Sequence, residues 1–154
     1  MRNVTLCFLV RDGEICLAMK KRGFGKGKWN GVGGKQEEGE LITTTALREL
    51  AEEIGVETEE RHLMKVGDIS FHFLDNKEFN QRMHIYFVTS WKGEPSESDE
   101  MKPAWYTHET IPYHDMWVDD PVWLPKVLAG KKVKGACYFN HDGSDIEKFD
   151  LEEW

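Results

Sequence analysis

The sequence contains no long apolar segment. Nowhere in its 154 residues do about 18 apolar residues run together, as a membrane-spanning helix requires. The apolar run at the N-terminus, MRNVTLCFLV, is followed at once by charged residues and is too short for a secretory signal peptide. We therefore expect a protein that is neither inserted in a membrane nor exported.

Cysteine is scarce, and it occurs only at Cys7, Cys16 and Cys137. An odd number of widely spaced cysteines with apolar neighbours argues against a disulfide framework or a zinc site. The pattern favours buried, reduced thiols, which suit a reducing compartment. We expect a cytoplasmic location.

An excess of positive charge is also missing, since the formal net charge is −8. Binding to a nucleic-acid backbone without regard to sequence needs a basic surface. We therefore expect neither a nucleic-acid nor a membrane partner. No Pro/Gly/Ser-rich linker divides the chain, and its length suffices for one core, so residues 1–154 are predicted to form one domain, as a monomer.

Apolar periodicity and turn residues predict several strands and two helices. A hairpin turns at Arg11-Asp12-Gly13, and Asp142-Gly143 joins a later strand pair. A helix begins near Pro121 and stops near Gly130. The predicted strands are 3–10, 14–20, 65–74, 82–91, 134–140 and 145–151. Together these elements predict an α+β fold.

One dense motif, G-x5-E-x7-R-E-U-x-E-E-x-G-U with U apolar, runs from Gly34 to Val56. Its second half has helical periodicity and ends at Gly55, a typical helix stop. Arg48 lies four residues before Glu52 and can orient that carboxylate. The predicted core stripe is Leu47, Leu50, Ala51 and Ile54, and the predicted acidic face is Glu49, Glu52 and Glu53.

Carboxylates three or four positions apart on a helix repel each other unless a cation lies among them. Oxygen ligands without Cys or His favour Mg²⁺, for which Mn²⁺ can substitute, over zinc. Mg²⁺ keeps coordination places for water and phosphate oxygens. The simpler alternative is a solvated acidic helix face, which does not account for Gly34, Glu40, Arg48 and Gly55 at their fixed spacings.

The segment before the motif is basic and rich in glycine. Residues 20–35 contain five lysines, one arginine and no acidic residue. Such a loop can bring backbone N–H groups and cations to phosphate oxygens, although it lacks the G-K-[ST] ending of a P-loop. A flexible basic loop without a ligand is the alternative.

The motif resembles the signature of the Nudix hydrolases and matches it without a departure. The resemblance implies a Nudix α/β/α sandwich with a mixed β-sheet and Mg²⁺-assisted hydrolysis of a nucleoside diphosphate linked to another group. It also implies roles for the motif residues. Glu53 or Glu52 would activate water, Arg48 would position these groups, and Glu40 would support the loop. The implied metal ligands are the Gly33 carbonyl, Glu49, Glu52, Glu53 and Glu100.

Further segments are similar to the family members that hydrolyse oxidised purine nucleoside triphosphates. They are KKRGFG at 20–25, WNG at 29–31, GGK at 33–35, SDEM at 98–101 and DMW-x-DD at 115–120. This similarity implies a purine pocket formed by Asn30, Phe71, Trp117, Asp119 and Asp120, with Thr5, Lys20 and Phe24 near the sugar or the pocket wall. The sequence departs from those relatives at Val32, Gln81 and Arg82.

Several of these residues have ordinary structural alternatives. Two carboxyl groups held together, as at Asp119 and Asp120, retain a proton and can both donate and accept at a purine edge. One of them can instead cap the helix that opens at Pro121. Asn30 fits a turn, Trp117 fits a core, and Glu100 fits an exposed acidic loop.

The leading functional expectation is a nucleotide-pool enzyme. It would convert 8-oxo-dGTP, 2-hydroxy-dATP or O6-methyl-dGTP to the monophosphate and pyrophosphate. The first alternative is a Nudix hydrolase for a dinucleoside polyphosphate, ADP-ribose or an RNA 5′ end. The second is a noncatalytic nucleotide-binding module, against which the complete set of motif glutamates argues.

Overall fold

A computed structural model describes residues 1–140 and 143–154. Its helices are α1 (Ile42–Ile54) and α2 (Asp120–Leu128), with short 3₁₀ turns at Glu60–His62, Lys77–Phe79, His108–Thr110 and Tyr113–Asp115. The strands are β1 (Arg2–Arg11), β2 (Glu14–Lys20), β3 (Trp29–Asn30), β4 (Leu63–Phe73), β5 (Gln81–Val88), β6 (Met101–Thr107), β7 (Val133–Phe139) and β8 (Ile146–Glu153).

The strands form one mixed sheet in the order β3-β2-β1-β5-β4-β7-β8, with β6 on the other edge of β2. The β1–β5 and β4–β7 pairs are parallel. The other neighbouring pairs are antiparallel. The predicted hairpin between β1 and β2 is confirmed, although its two strands pair only next to the turn, through Val10 with Ile15 and Arg11 with Glu14.

Two apolar cores lie on opposite faces of this sheet. Alternation along β1 sends Leu6 and Phe8 into the core beneath α2, and Cys7 and Leu9 into the core beneath α1. Because each helix covers one face, the fold is the predicted α/β/α sandwich. The three cysteines are free and buried, as predicted.

The buried stripe of α1 differs from the prediction. Ala46, Leu50 and Ile54 are buried, whereas the predicted core residue Ala51 is exposed. The helix is rotated relative to the predicted orientation, and part of its acidic side faces protein. The side chain of Glu49 is only 13% exposed, whereas that of Glu52 is 58% exposed, so this side is solvated only in part.

Other differences between sequence and structure concern strands. The two-residue β3 and the whole of β6 were not predicted, and Pro103 within β6 is a residue that usually argues against a strand. Pro103 is tolerated because β6 is an edge strand that pairs only with β2. The predicted turn at Asp142-Gly143 includes residue 142, which lies outside the described residues.

Within residues 1–140 and 143–154, neither helix combines the length and the apolar composition needed to cross a lipid bilayer.

Candidate active site

A gap between β1 and β2 creates the site. Beyond their shared turn the strands separate, and the loop 31–36 takes the place beside the first half of β1. Cys7 and Val32 exchange two backbone hydrogen bonds of 2.6 and 2.8 Å, and the Thr5 N–H donates to the Gly34 carbonyl at 2.9 Å. This pairing carries the motif loop along the sheet to the first turns of α1.

Two glycines are required for this close approach. A Cβ atom at Gly33 would overlap the backbone carbonyl of Thr5, and one at Gly34 would overlap the carboxyl group of Glu49. The first glycine lets the loop lie against β1, and the second brings the loop backbone to a motif glutamate. The fixed glycine of the motif therefore has a steric cause.

We expect Gly33→Ala to lower the free energy of unfolding by more than about 3 kcal/mol, because the new methyl group must displace β1 backbone. Chemical denaturation monitored by tryptophan fluorescence measures this. The control is Gly39→Ala, which meets no atom within 4 Å but has a φ of 79°, so it should cost only about 1–2 kcal/mol. Equal losses in the two variants would show that overlap with Thr5 is not the cause.

Arg48 holds the motif together. Its guanidinium donates to both oxygens of Glu40 at 2.8 and 3.1 Å, to Glu49 at 2.8 Å and to Glu52 at 3.3 Å. It also donates to the Lys35 carbonyl at 3.1 Å. The arginine therefore ties the loop to the helix and fixes three carboxylates around one cation.

Glu40 links the motif loop, which it is expected to support, to α1. Besides Arg48, it accepts hydrogen bonds from the Thr45 hydroxyl at 2.6 Å and the Glu37 N–H at 3.1 Å. Hydrogen bonds from Arg48 and then Thr45 lower the pKa of Glu40 to about 2. With its carboxylate engaged in this way, Glu40 is a structural anion at the start of α1.

Glu53 lies next to Glu49 in the interior of the site. Burial raises the pKa of Glu53 to about 9, and a hydrogen bond and negative charge from Glu49 add to the rise. One oxygen of Glu53, Oε2, is buried and has no hydrogen-bond partner. A buried carboxylate pair with an unsatisfied oxygen has a strong requirement for a cation.

Two other predicted ligands lie at the surface. The Glu52 side chain is 58% exposed and pairs with Arg48. The Glu100 side chain is 48% exposed and pairs with Arg22 at 2.6 Å. Among the described residues, no three Asp, Glu, His or Cys side chains converge into a preformed metal cluster.

The donor set fits a hard divalent cation. Glu49, Glu53 and the neighbouring loop backbone at Gly33 and Gly34 offer only oxygen ligands, and Glu53 Oε2 is an oxygen that lacks a partner. A few protein oxygens, with places left for water and phosphate, is the usual arrangement for magnesium. The geometry therefore fits a partial protein site that a nucleotide completes.

A cavity of about 320 Å³ opens beside the motif loop. It extends from Gly33, Gly34 and Lys35 to the start of α2. The eight residues predicted to bind substrate all line it; they are Thr5, Lys20, Phe24, Asn30, Phe71, Trp117, Asp119 and Asp120. The structure thus brings together side chains that are distant in the sequence.

Asp119 and Asp120 lie at the inner end of this cavity, and they are 5% and 1% exposed. Asp119 accepts a hydrogen bond from the Trp123 indole at 2.8 Å, and Asp120 accepts one from the Trp117 N–H at 3.0 Å. Asp119 occupies the cap position of α2 but its side chain caps no helical N–H. Helix capping therefore does not explain this pair.

Burial controls the ionisation of both aspartates. It raises the pKa of Asp119 to about 6. Burial, and then the negative charge of Asp119, raises the pKa of Asp120 well above its usual value. The pair therefore holds a proton more strongly than two isolated aspartates do, and while protonated it can donate as well as accept.

Aromatic rings form the walls of the cavity. Phe24 stacks on Phe79 with ring centres 5.2 Å apart and lies 5.2 Å from Trp117 at an angle of 41°. The Lys28 ammonium lies 5.3 Å from the centre of the Trp117 ring. Flat apolar walls with a polar end suit a planar base.

Three lysines line the cavity that connects the aspartates with the motif loop. Lys20, Lys28 and Lys35 all line the cavity. Lys20 is close enough to Glu53 and Glu100 to favour ionisation of both. Lys20 and Lys35 lie on the side of the motif and suit oxygens of a phosphate chain, whereas Lys28 lies beside the Trp117 ring.

The structure also locates two cavity residues that the sequence analysis missed and the three positions that depart from the oxidised-purine hydrolases. Phe79 and Arg2 line the cavity, but no motif or spacing in the sequence indicates them. Of the positions that depart from the oxidised-purine hydrolases, Gln81 lines the cavity, whereas Val32 is buried in the core beneath α1. Arg82 pairs with Asp68 at 2.6 Å and does not line it.

The fold and the motif define a class of protein. The NUDIX domain family model matches residues 1–127, and the chain therefore belongs to the Nudix family. Members of this family generally use a divalent metal ion.

Named relatives are similar to this protein over most of its length. The oxidized purine nucleoside triphosphate hydrolase of Danio rerio is 45% identical over 143 residues, covering 93% of this chain and 88% of the relative. The enzyme of the same name from Mus musculus is 43% identical over 152 residues, covering 99% and 95%. A Mutator MutT protein from Bacillus halodurans has a similar structure, with a TM-score of 0.85, 25% identity and coverage of 99% and 98%.

Proposed function

We propose that this protein hydrolyses oxidised purine nucleoside triphosphates to the monophosphate and pyrophosphate. The observation that carries the proposal is one cavity that joins the motif loop at Gly33 and Gly34 to the buried pair Asp119 and Asp120. A metal-assisted phosphate site and a base-reading site are thereby connected. The names and high coverage of the two vertebrate relatives support the same activity.

The base end of the cavity is suited to modified purines. A shared proton lets Asp119 and Asp120 match different donor and acceptor patterns, such as those of 8-oxo-dGTP and 2-hydroxy-dATP. O6-methyl-dGTP is a further candidate for the same pair. Asn30 supplies an amide that also donates and accepts, and Trp117 and Phe24 supply surfaces for the ring.

The other end of the cavity is suited to the phosphates. Lys20 and Lys35 neutralise phosphate charge, and the Gly33-Gly34 backbone permits close approach. With the base fixed among the aromatic rings, the triphosphate would extend towards α1. Holding the substrate in a fixed position and orientation is a large part of what such a site contributes to catalysis.

We assign the metal to Glu49, Glu52, Glu53 and the Gly33 carbonyl, with Glu100 joining when it leaves Arg22. The all-oxygen set favours Mg²⁺, with Mn²⁺ as a substitute. When bound, such an ion offsets phosphate charge and lowers the pKa of a coordinated water. Glu53 is the residue we assign to orient that water and accept its proton, with Glu52 as the alternative and Arg48 as a positioning residue.

The proposed substrate is therefore a small nucleotide, and the proposed unit is a single-domain monomer that acts without a nucleic-acid partner.

A panel of substrates tests this function. We expect Mg²⁺-dependent release of pyrophosphate from 8-oxo-dGTP, 2-hydroxy-dATP or O6-methyl-dGTP, with a lower kcat/KM for dGTP. The same assay should include a dinucleoside polyphosphate, ADP-ribose and a triphosphorylated RNA. If the protein hydrolyses one of these compounds and not the purine triphosphates, it has a different Nudix activity from the one proposed. No turnover of any of these compounds would contradict the proposed function and would direct the search to other diphosphates or to a binding role.

A further inference from the structure

Two buried side-chain polar atoms in the described residues have no hydrogen-bond partner, namely Glu53 Oε2 and Arg2 Nε. A buried unpaired donor or acceptor is costly and rare in a folded protein. The metal ion proposed above would supply a partner for Glu53. Nothing in the function described so far accounts for Arg2.

Arg2 lies at the start of β1 and lines the same cavity as Asp119 and Asp120. Its neighbour in the parallel β1–β5 register is Gln81, which also lines the cavity. Gln81 is in turn paired with Phe71 of β4. The two polar side chains therefore lie side by side on the cavity floor, next to an aromatic wall residue.

Arg2 Nε donates a hydrogen bond to no atom of the described residues. The two aspartates of the cavity accept hydrogen bonds from tryptophans, Asp119 from Trp123 and Asp120 from Trp117, and neither is paired with Arg2. A guanidinium only donates hydrogen bonds. Because Arg2 lines the cavity, an acceptor atom on a ligand there would give the guanidinium a hydrogen-bond partner.

We propose that Arg2 and Gln81 form a polar subsite that donates hydrogen bonds to an oxygen of the bound nucleoside. This rests on the proposed function, because it uses the same cavity and the same ligand. The oxygen belongs either to the base, as the oxo group of an oxidised purine, or to the sugar. Arginine pairs well with the oxygen and nitrogen acceptors of guanine, and an amide next to it extends the set of donors.

The subsite makes Arg2 a specificity-determining residue. A purine that presents an amino group in place of the oxygen would set donor against donor and bind less well. The aspartate pair can adapt to either pattern by moving a proton, whereas the guanidinium cannot lose one. Arg2 would thus restrict a pocket that the aspartates alone leave permissive.

Binding of nucleoside monophosphates to Arg2→Met tests the subsite by calorimetry. The ligands are 8-oxo-dGMP, its 2′,3′-dideoxy analogue, and the deoxynucleoside monophosphate of 2-aminopurine, which has no base oxygen. We expect 8-oxo-dGMP to bind at least about tenfold more weakly to the variant than to the unmodified protein. The matched control is Arg82→Met, an arginine that pairs with Asp68 outside the cavity.

The other two ligands identify the source of the oxygen. If 2-aminopurine binding is unchanged in Arg2→Met, the partner is a base oxygen. If only the dideoxy analogue is unaffected, the partner is a sugar oxygen. A loss equal for all three ligands contradicts the subsite, because that is the effect of removing a distant positive charge from the phosphate. The subsite is also contradicted if Arg2→Met binds 8-oxo-dGMP as strongly as Arg82→Met does.

Stability provides a second readout. Since Arg2 Nε has no partner, Arg2→Met should leave the melting temperature unchanged or raise it, whereas loss of a structural arginine would lower it. Should Arg2→Met fold poorly, Gln81→Met takes over the test, with a smaller loss and the same dependence on the ligand.

The subsite and the proposed function can fail separately. If the unmodified protein prefers 8-oxo-dGTP to dGTP but Arg2→Met binds nucleotides normally, the subsite is wrong and the function stands. If the unmodified protein shows no such preference but Arg2→Met binds the monophosphates weakly, the function is wrong and the subsite stands.

Discussion

Glu53→Gln is expected to lower kcat for 8-oxo-dGTP by about 10³-fold or more while the protein remains folded. The side chain keeps its size and its hydrogen-bonding ability, but it can no longer bind a cation as an anion or accept a proton. Its neighbour Glu49 then lacks the second carboxylate of the buried pair. Rapid-quench or steady-state measurement of pyrophosphate release gives the value.

Two further variants make this result specific. Glu52→Gln alters the exposed motif glutamate that pairs with Arg48, and it should lower kcat less than Glu53→Gln if Glu53 activates the water. Glu38→Gln, at an exposed position of the same loop, should leave kcat unchanged. If kcat falls more in Glu52→Gln than in Glu53→Gln, then Glu52 and not Glu53 activates the water.

Asp119→Asn is expected to lower kcat/KM for 8-oxo-dGTP by about 10–100-fold and to change the ranking of the modified purines. Asparagine can still accept the indole hydrogen bond from Trp123, but it cannot exchange a proton with Asp120. The pocket then keeps one fixed pattern of donors and acceptors. Parallel kinetics with 8-oxo-dGTP and 2-hydroxy-dATP measure the change in ranking.

The same variant has a pH signature in stability. The pKa of Asp119 is raised to about 6 in the folded protein, above its unfolded value of about 3.9. The folded state therefore binds the Asp119 proton more strongly than the unfolded state does. The resulting contribution to the free energy of unfolding is fully present below about pH 4 and is lost as the pH rises through about 6. Asp119→Asn should gain stability relative to the unmodified protein across that interval.

Denaturant unfolding at pH 4.5 and pH 7.5 measures this signature. The gain at the higher pH should be on the order of 2 kcal/mol and should shrink at the lower pH. Asp12→Asn, at an exposed turn position, should show no such trend. A gain that is independent of pH would mean that Asp119 does not carry the raised pKa.

Much of the metal end of the site was predictable because its signals are local. The spacing from Gly34 to Gly55 contains the loop, the helix and its stop, and the structure ends α1 at Ile54 with Gly55 left-handed at a φ of 70°. The rotation of α1 was not predictable in this way. The contact between Glu49 and the Gly34 backbone depends on a loop that pairs with β1, and periodicity does not reveal such long-range pairing.

The base end of the site was predictable only by resemblance. Asn30, Phe71 and Asp119 come from three separate elements, and no spacing rule connects them. For the pair Asp119 and Asp120, the sequence also allowed a helix cap by one of the two, whereas the structure buries the Asp119 carboxyl group against Trp123. Arg2 gave no signal, because a single basic residue near a chain end has no pattern. Its importance follows from burial and from the missing hydrogen-bond partner.

The most direct test of the central claim is a competition between 8-oxo-dGTP and dGTP, mixed at equal concentration with the unmodified protein and Mg²⁺. The initial ratio of the two monophosphate products equals the ratio of the kcat/KM values. We predict an excess of 8-oxo-dGMP of about tenfold or more, as one additional charge-assisted hydrogen bond would produce. Equal amounts of the two products, or an excess of dGMP, would contradict the account.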